Sequence, residues 1–241
     1  TPIPEDGQVL RCEPERILEL VWPIHGRATR LLLELVAEGA GTRLRVTHAP
    51  MDRWPEGLEV PALWALQLTN LRHLIERPAE SERAMDAPHR VDFSQPYAPM
   101  VWLGLTIETL PVGVFQHLTD SALLRRWLGT AARVQPQEGG KLTFGWGARG
   151  PSRVEALKKN RLVVHDWQDP ALSGPTRVTW SMMPEKGASR VEFLHEGFVE
   201  SDDVGRYRLL WSAAMVLLKE DIERDRSFGL GWWTLEATSA S

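Results

Sequence analysis

One segment of this chain occurs twice, and this repeat limits the folds that the sequence can adopt. Residues 7–76 recur as residues 152–223, and in each copy a histidine lies 16 residues before a tryptophan. The residues before the second copy have no counterpart before the first. The pattern therefore predicts one complete domain preceded by an incomplete copy of its C-terminal half. The matched residues are Trp22 and Trp167, Thr29 and Thr176, His48 and His195, and Trp64 and Trp211.

Periodicity in the apolar residues predicts the elements of both copies. The first copy contains four strands and a long helix over about residues 60–75. The second unit is longer, with a strand, two short helices, six strands and a long amphipathic helix over about residues 204–226. Strands are expected at about residues 131–135 and 141–146. We expect an incomplete domain at 1–77, a linker at 78–98 and a complete domain at 99–241.

The composition excludes several classes of protein. A net charge of −4 with interspersed cations provides no basic surface for nucleic acid or an anionic membrane. The apolar runs are too short to span a bilayer. The single cysteine, Cys12, fits a reducing cytosol, so a cytoplasmic location is expected. The histidines have no metal-ligand spacing, and neither a metal nor another cofactor is predicted.

An ordered set of short motifs runs through the second unit. The motifs are Pro111 to Asp120, Leu123 to Trp127, Gly139 to Leu142, Arg161 to Val163, Thr176 to Val178 and Phe193 to Phe198. This set resembles the START-like SRPBCC superfamily, and within it the group of activator-of-heat-shock-protein-ATPase-like proteins. The resemblance covers residues 100–226, and its C-terminal half applies again at 7–76. It implies an α+β helix-grip fold, in which a curved antiparallel sheet wraps a long C-terminal helix and two short helices close one end.

The resemblance also implies a hydrophobic cavity between sheet and helix. Members of the superfamily bind hydrophobic small molecules, a few are cyclases or hydrolases, and some act on the chaperone ATPase. No catalytic set is common to them. Because 11 tryptophans are many for 241 residues, two interiors are possible: an aromatic pocket, or a core that these rings fill. The candidate ligand-binding residues are Trp127, Trp146, Trp167, Trp180, Phe193, His195 and Trp211.

The histidines offer limited catalytic chemistry. His195 could contact a ligand or act as an acid or base, but its counterpart His48 lies in the incomplete copy, which favours a structural role. His165 and Asp166 are adjacent in a strand and point to opposite faces, so they form no acid/base pair. The charged run at 219–224 is interpreted as the solvated face of the long helix.

Three functions remain open. The leading hypothesis is non-enzymatic binding of a hydrophobic small molecule within residues 100–226. One alternative is a cyclase, dehydratase or hydrolase that uses His195 or His117, and the other is a chaperone-associated regulator that acts through its surface. The incomplete copy would leave an apolar groove that must be covered. Residues before Thr1, the second domain, the linker or another subunit, as in a homodimer, could cover it.

Overall fold

The computed structural model describes residues 7–24, 27–49, 59–76, 99–146 and 149–224. Contacts divide the chain into two units, with the boundary between residues 57 and 58. The predicted linker, 78–98, and the residues after 224 lie outside the described residues. The domain boundaries 1–77 and 99–241 therefore stay predictions.

The first unit contains a four-stranded antiparallel sheet in the order β1-β2-β3-β4. Each strand pairs with the next one along the chain, as tight turns permit. Glu15, with φ of 60°, turns the chain between β1 and β2, and Gly39, with φ of 58°, turns it between β3 and β4. The strands span Gln8–Glu13 (β1), Ile17–Ile24 (β2), Arg27–Glu38 (β3) and Gly41–Ala49 (β4).

The described residues of the second unit form a seven-stranded antiparallel sheet in the order β5-β11-β10-β9-β8-β7-β6, together with four helices. The predicted order of one strand, two short helices, six strands and a long helix is confirmed, as is the α+β helix-grip class. The elements are α1 (Glu59–Glu76), β5 (Met100–Ile107), α2 (Pro111–Thr119), α3 (Ser121–Leu128), β6 (Arg133–Val134), β7 (Lys141–Thr143), β8 (Ser152–Lys158), β9 (Leu162–Trp167), β10 (Thr176–Glu185), β11 (Ala188–Glu196) and α4 (Val204–Arg224).

Local chemistry explains the two short helices. Pro111 opens α2, where its fixed φ suits the first turn and its missing N–H costs nothing. Asp120 caps α3, because its Oδ1 accepts hydrogen bonds from the backbone N–H groups of Ala122 at 2.6 Å and Leu123 at 3.2 Å. Gly129, with φ of 111°, follows the end of α3.

Helix α4 is buried on nearly every side. Its apolar residues from Val204 to Leu218 belong to the core of the second unit, and so do Ala62, Ala65 and Leu66 of α1. The sheet covers one face of α4, while α1 packs against α4 from another direction. The small side chains of Ala62 and Ala65, both almost fully buried, allow the two helices to approach closely.

The interpretation of 219–224 as a solvated face is wrong for two of its residues. Glu220 and Asp221 are 2% and 1% exposed. Asp221 Oδ1 lies 3.1 Å from Arg126 Nε on α3, and its Oδ2 lies 3.3 Å from His117 Nε2 on α2. The carboxylate faces the closing helices instead of water, because these helices pack against the C-terminal half of α4.

Two predicted strands are shorter in the structure. The strand expected at 141–146 ends at Thr143, and the one expected at 131–135 spans only Arg133–Val134. Gly145 has φ of 80°, which interrupts the extended chain. Phe144 and Trp146 are nevertheless buried, as strand alternation predicts. Among the described helices, none is long and apolar enough to cross a membrane.

The Asp221 contacts give a stability prediction. Asp221→Ala should lower the free energy of unfolding by about 3 kcal/mol, because it removes the buried carboxylate from the Arg126 guanidinium. The matched control is Glu155→Ala, which breaks a more exposed pair with Arg177 at 2.7 Å and should cost at most about 1 kcal/mol. Urea unfolding followed by circular dichroism measures both losses. Equal losses in the two variants would contradict the structural role of Asp221.

Candidate functional site

The structure brings all seven candidate residues into one buried cluster beneath the sheet. Each is at most 6% exposed. They come from the closing helix α3 (Trp127), the chain after β7 (Trp146), β9 (Trp167), β10 (Trp180), β11 (Phe193 and His195) and α4 (Trp211). Strand alternation places the sheet residues on the face that meets α4. We call these seven residues the aromatic cluster.

Trp211 lies at the centre of the aromatic cluster. Its ring centroid is 4.6 Å from that of Phe193, 4.8 Å from Trp167, 5.5 Å from Trp146 and 6.0 Å from Trp180. Most of these pairs meet edge to face or tilted, the arrangements that aromatic quadrupoles favour. The rings therefore pack against one another across the space between sheet and helix.

Two further contacts extend the cluster. Trp127 meets the edge of Trp180 at 6.4 Å, which connects the closing helix to the sheet. Phe144 was absent from the candidate list, but its ring lies 5.4 Å from Trp167 and 5.5 Å from Trp211. Its alternation with Leu142 and Trp146 in the sequence indicates the same face, so the pattern alone could have included it.

His195 forms a directional chain of hydrogen bonds. The indole Nε1–H of Trp211 donates to His195 Nδ1 at 2.9 Å. Because Nδ1 accepts, the ring proton lies on Nε2, which donates to Thr176 Oγ1 at 2.7 Å. The Thr176 hydroxyl then donates to the backbone carbonyl of Trp167 at 3.4 Å. Both ring nitrogens of His195 are used, and the tautomer is fixed.

Burial and, to a smaller extent, the neighbouring His165 lower the pKa of His195 to about 3. The ring is therefore neutral at physiological pH. A general acid or base needs a pKa near the working pH and a free nitrogen, and His195 has neither. This geometry supports the structural role that the repeat suggested and does not support the catalytic alternative for His195.

His117, the other histidine of the enzyme hypothesis, lies outside the aromatic cluster. Its Nδ1 donates to the carbonyl of Gly113 at 2.8 Å, and its Nε2 faces Asp221 as described above. The ring thus connects α2 to α4. Within the described part of the chain, His117 and His195 each have a separate structural partner.

Sequence reasoning missed His165 as a member of this face. It is fully buried, its ring centroid lies 5.4 Å from Phe144 and 6.5 Å from Trp167, and burial lowers its pKa to about 4. Its Nδ1 donates to the carbonyl of Asp166 at 2.7 Å. Among the described residues, no group pairs with its Nε2, nor with Nε1 of Trp167.

A second polar group borders the cluster at the start of α4. The Tyr207 hydroxyl donates to Asp169 Oδ2 at 2.8 Å, and Arg149 Nε lies 2.5 Å from the same oxygen. Burial of Asp169 raises its pKa, but the hydrogen bonds from Ala171 and Tyr207 and the nearby Arg149 outweigh this effect, so the pKa is lowered. Tyr207 also meets His195 edge to face at 5.4 Å. The described residues contain no group of three or more metal-ligating side chains.

Replacing Thr176 tests the hydrogen bonds that link Trp211, His195, Thr176 and Trp167. Thr176→Val keeps the shape but removes the hydroxyl that accepts from His195 and donates to Trp167, so the free energy of unfolding should fall by about 1–3 kcal/mol. Thr179→Val, a half-buried position on the same strand, is the control and should change it by less than about 0.5 kcal/mol. Chemical denaturation measures both. If Thr176→Val leaves the free energy of unfolding unchanged, these hydrogen bonds do not stabilise the protein.

The region that contains the aromatic cluster also matches a known protein family. Residues 109–220 match the family model for activator of Hsp90 ATPase homolog 1-like protein. No curated protein matches the chain.

Several solved structures are similar to part of this chain. A protein from Mesorhizobium loti is 21% identical over 53% of this chain and 98% of its own, with a TM-score of 0.47. The Aha1 dimer from Colwellia psychrerythraea is 19% identical over 55% and 98%, with a TM-score of 0.46. An HSP90 activator from Plasmodium falciparum is 18% identical over 44% and 79%, with a TM-score of 0.40. At these scores the likenesses carry no argument about function.

The family match begins just before α2 and ends within α4. It therefore covers both closing helices, six of the seven strands and most of α4. Residues 109–220 of this chain are therefore similar to the family of activator of Hsp90 ATPase homolog 1-like proteins.

Proposed function

We propose that the second unit binds a hydrophobic small molecule among the aromatic side chains between its sheet and α4. The observation that carries the proposal is the aromatic cluster, which joins residues from six separate parts of the chain in one buried group. Flat aromatic walls with few polar groups are typical of sites for apolar ligands. The proposal requires that one or more rings move when the ligand enters.

The position of Trp146 supports this mode of entry. Its ring packs on Phe144 at 5.1 Å, on Trp211 at 5.5 Å and on Trp167 at 6.0 Å, but its backbone follows the end of β7. A side chain outside regular structure can be displaced without breaking the hydrogen bonds of a sheet ladder. We infer that Trp146 is the ring that a ligand displaces or stacks on.

A second candidate function, regulation of a chaperone through the protein surface, is favoured by a different observation. Trp102 lies on β5, the edge strand of the seven-stranded sheet, and is 62% exposed, while Met100 two residues before it is 41% exposed. Large exposed apolar side chains on a sheet edge are typical of surfaces that bind other proteins. The rings that pack closely in the interior are also compatible with this function.

We also infer that the first copy is a structural duplicate of the second. Both sheets shift register at the corresponding bulge, between Val9 and Arg11 and between Val154 and Ala156. Other features also recur: positive φ at Glu15 and Asn160, a backbone hydrogen bond from Leu35 to Arg16 and from Met182 to Arg161, and a hydrogen bond between a histidine and a threonine, His48 with Thr29 and His195 with Thr176. These shared irregularities support a common origin more strongly than similar strand counts would.

Tryptophan fluorescence tests ligand binding. A naphthalene derivative, a flavone and a long-chain fatty acid represent three classes of apolar ligand, and we expect saturable quenching by at least one. Trp146→Leu should weaken that binding by about tenfold, the effect of losing roughly 1.4 kcal/mol of aromatic contact. The matched control is Trp102→Leu, which removes an exposed ring and should leave the affinity unchanged.

The same variants separate the two candidate functions. If none of the three probes gives a saturable response, the ligand-binding proposal is wrong. Stimulation of an Hsp90 ATPase that is lost in Trp102→Leu and kept in Trp146→Leu would then support the second function. Far-ultraviolet circular dichroism of each variant confirms that the altered protein is folded.

A further inference from the structure

Several buried polar atoms of the second unit have no hydrogen-bond partner among the described residues, and two of them lie on neighbouring positions of one strand face. They are Nε2 of His165 and Nε1 of Trp167, both on β9. The residues are 0% and 1% exposed. A buried polar group without a hydrogen bond costs about 1–3 kcal/mol, so two such groups side by side require an explanation.

The hydrogen-bonding roles of the two atoms are opposite. His165 Nδ1 lies 2.7 Å from the carbonyl oxygen of Asp166, which can only accept, so Nδ1 carries the ring proton. The neutral ring therefore presents a bare lone pair at Nε2. The indole Nε1–H of Trp167 is a donor only. The face thus offers one acceptor and one donor.

We propose that these two atoms bind a hydroxyl group of the ligand, which makes that ligand a hydroxylated aromatic molecule such as a phenol. The hydroxyl proton donates to His165 Nε2, and the hydroxyl oxygen accepts from Trp167 Nε1. The two rings are near neighbours on one face of β9, with centroids 6.5 Å apart. This inference rests on the proposed ligand binding in the same cluster.

The chemistry excludes several common polar groups. A ketone, ether or carboxylate can accept from Trp167 but has no proton for His165. An ammonium group can donate but cannot accept. A hydroxyl satisfies both atoms, and the surrounding rings of Phe144, Trp146 and Trp211 provide an apolar wall for the rest of an aromatic ligand.

Comparison of the two sheets supports a functional role for the acceptor of this pair. Val9 pairs with Leu20 in the first sheet as Val154 pairs with His165 in the second, so Leu20 is the counterpart of His165. By contrast, the hydrogen bond between threonine and histidine occurs in both units, at 2.6 Å and 2.7 Å. The donor residue Trp167 has a counterpart in Trp22, whereas the acceptor at His165 is particular to the second unit.

Three probes of similar size test the hydroxyl site. 2-Naphthol can donate and accept, 2-methoxynaphthalene can only accept, and 2-methylnaphthalene can do neither. We expect isothermal titration calorimetry to show 2-naphthol binding at least tenfold more tightly than 2-methoxynaphthalene. His165→Leu should remove this preference. Trp167→Phe should weaken the binding of 2-naphthol by about tenfold and leave the affinity for 2-methylnaphthalene unchanged. The matched control, Trp102→Phe, removes an exposed indole N–H and should change nothing.

The outcomes separate the inference from the proposed function. If none of the three probes binds, the hydroxyl site is overturned, and the proposed function fails as well only when the flavone and the fatty acid also give no response. If 2-methylnaphthalene binds as tightly as 2-naphthol, ligand binding stands and the hydroxyl site is overturned; a water molecule held by the two nitrogens would give this result. If a variant fails to fold, NMR of the wild-type protein tests the hydroxyl site instead. Its His165 Nε2 nitrogen resonance should move on addition of 2-naphthol and not on addition of 2-methylnaphthalene, and an unmoved resonance overturns the inference.

Discussion

The hydrogen bond from Trp211 to His195 connects the long helix to the sheet, and the interior is organised around it. A buried imidazole costs free energy unless both of its nitrogens are paired. Trp211 on α4 and Thr176 on β10 supply these partners for His195, at 2.9 and 2.7 Å. The bond fixes the rotation of α4 about its axis. Because the Trp211 ring touches four other rings of the aromatic cluster, fixing that ring determines where the others pack.

The repeat helps to distinguish structure from function within this interior. The Thr29 hydroxyl and His48 meet in the first unit as Thr176 and His195 meet in the second. A contact that recurs in both units does not depend on the residues that are particular to the second one. His165 does not recur, since Leu20 occupies its place in the register. Within this sheet face, the residues that differ between the copies are therefore the ones to test for binding.

Local patterns in the sequence predicted the elements and most of the buried face. Alternation in β9, β10 and β11 placed Trp167, Trp180 and His195 on one side, because successive side chains of a strand point to opposite faces. Long-range packing was not predictable in the same way. Nothing in residues 59–76 indicates that α1 packs against α4, and the charged run at 219–224 is typical of solvent. Asp221 is buried because Arg126 and His117 reach it from helices that lie about a hundred residues earlier in the chain.

The protonation of His195 tests the central claim most directly. Nitrogen-detected NMR of the protein with labelled histidine reports the tautomer and charge of each ring. The account predicts a neutral His195 with its proton on Nε2, and no change in its resonances between pH 8 and pH 5, because burial lowers its pKa to about 3. A ring that titrates near its ordinary pKa of about 6.5, or that carries its proton on Nδ1, would contradict the hydrogen bond from Trp211.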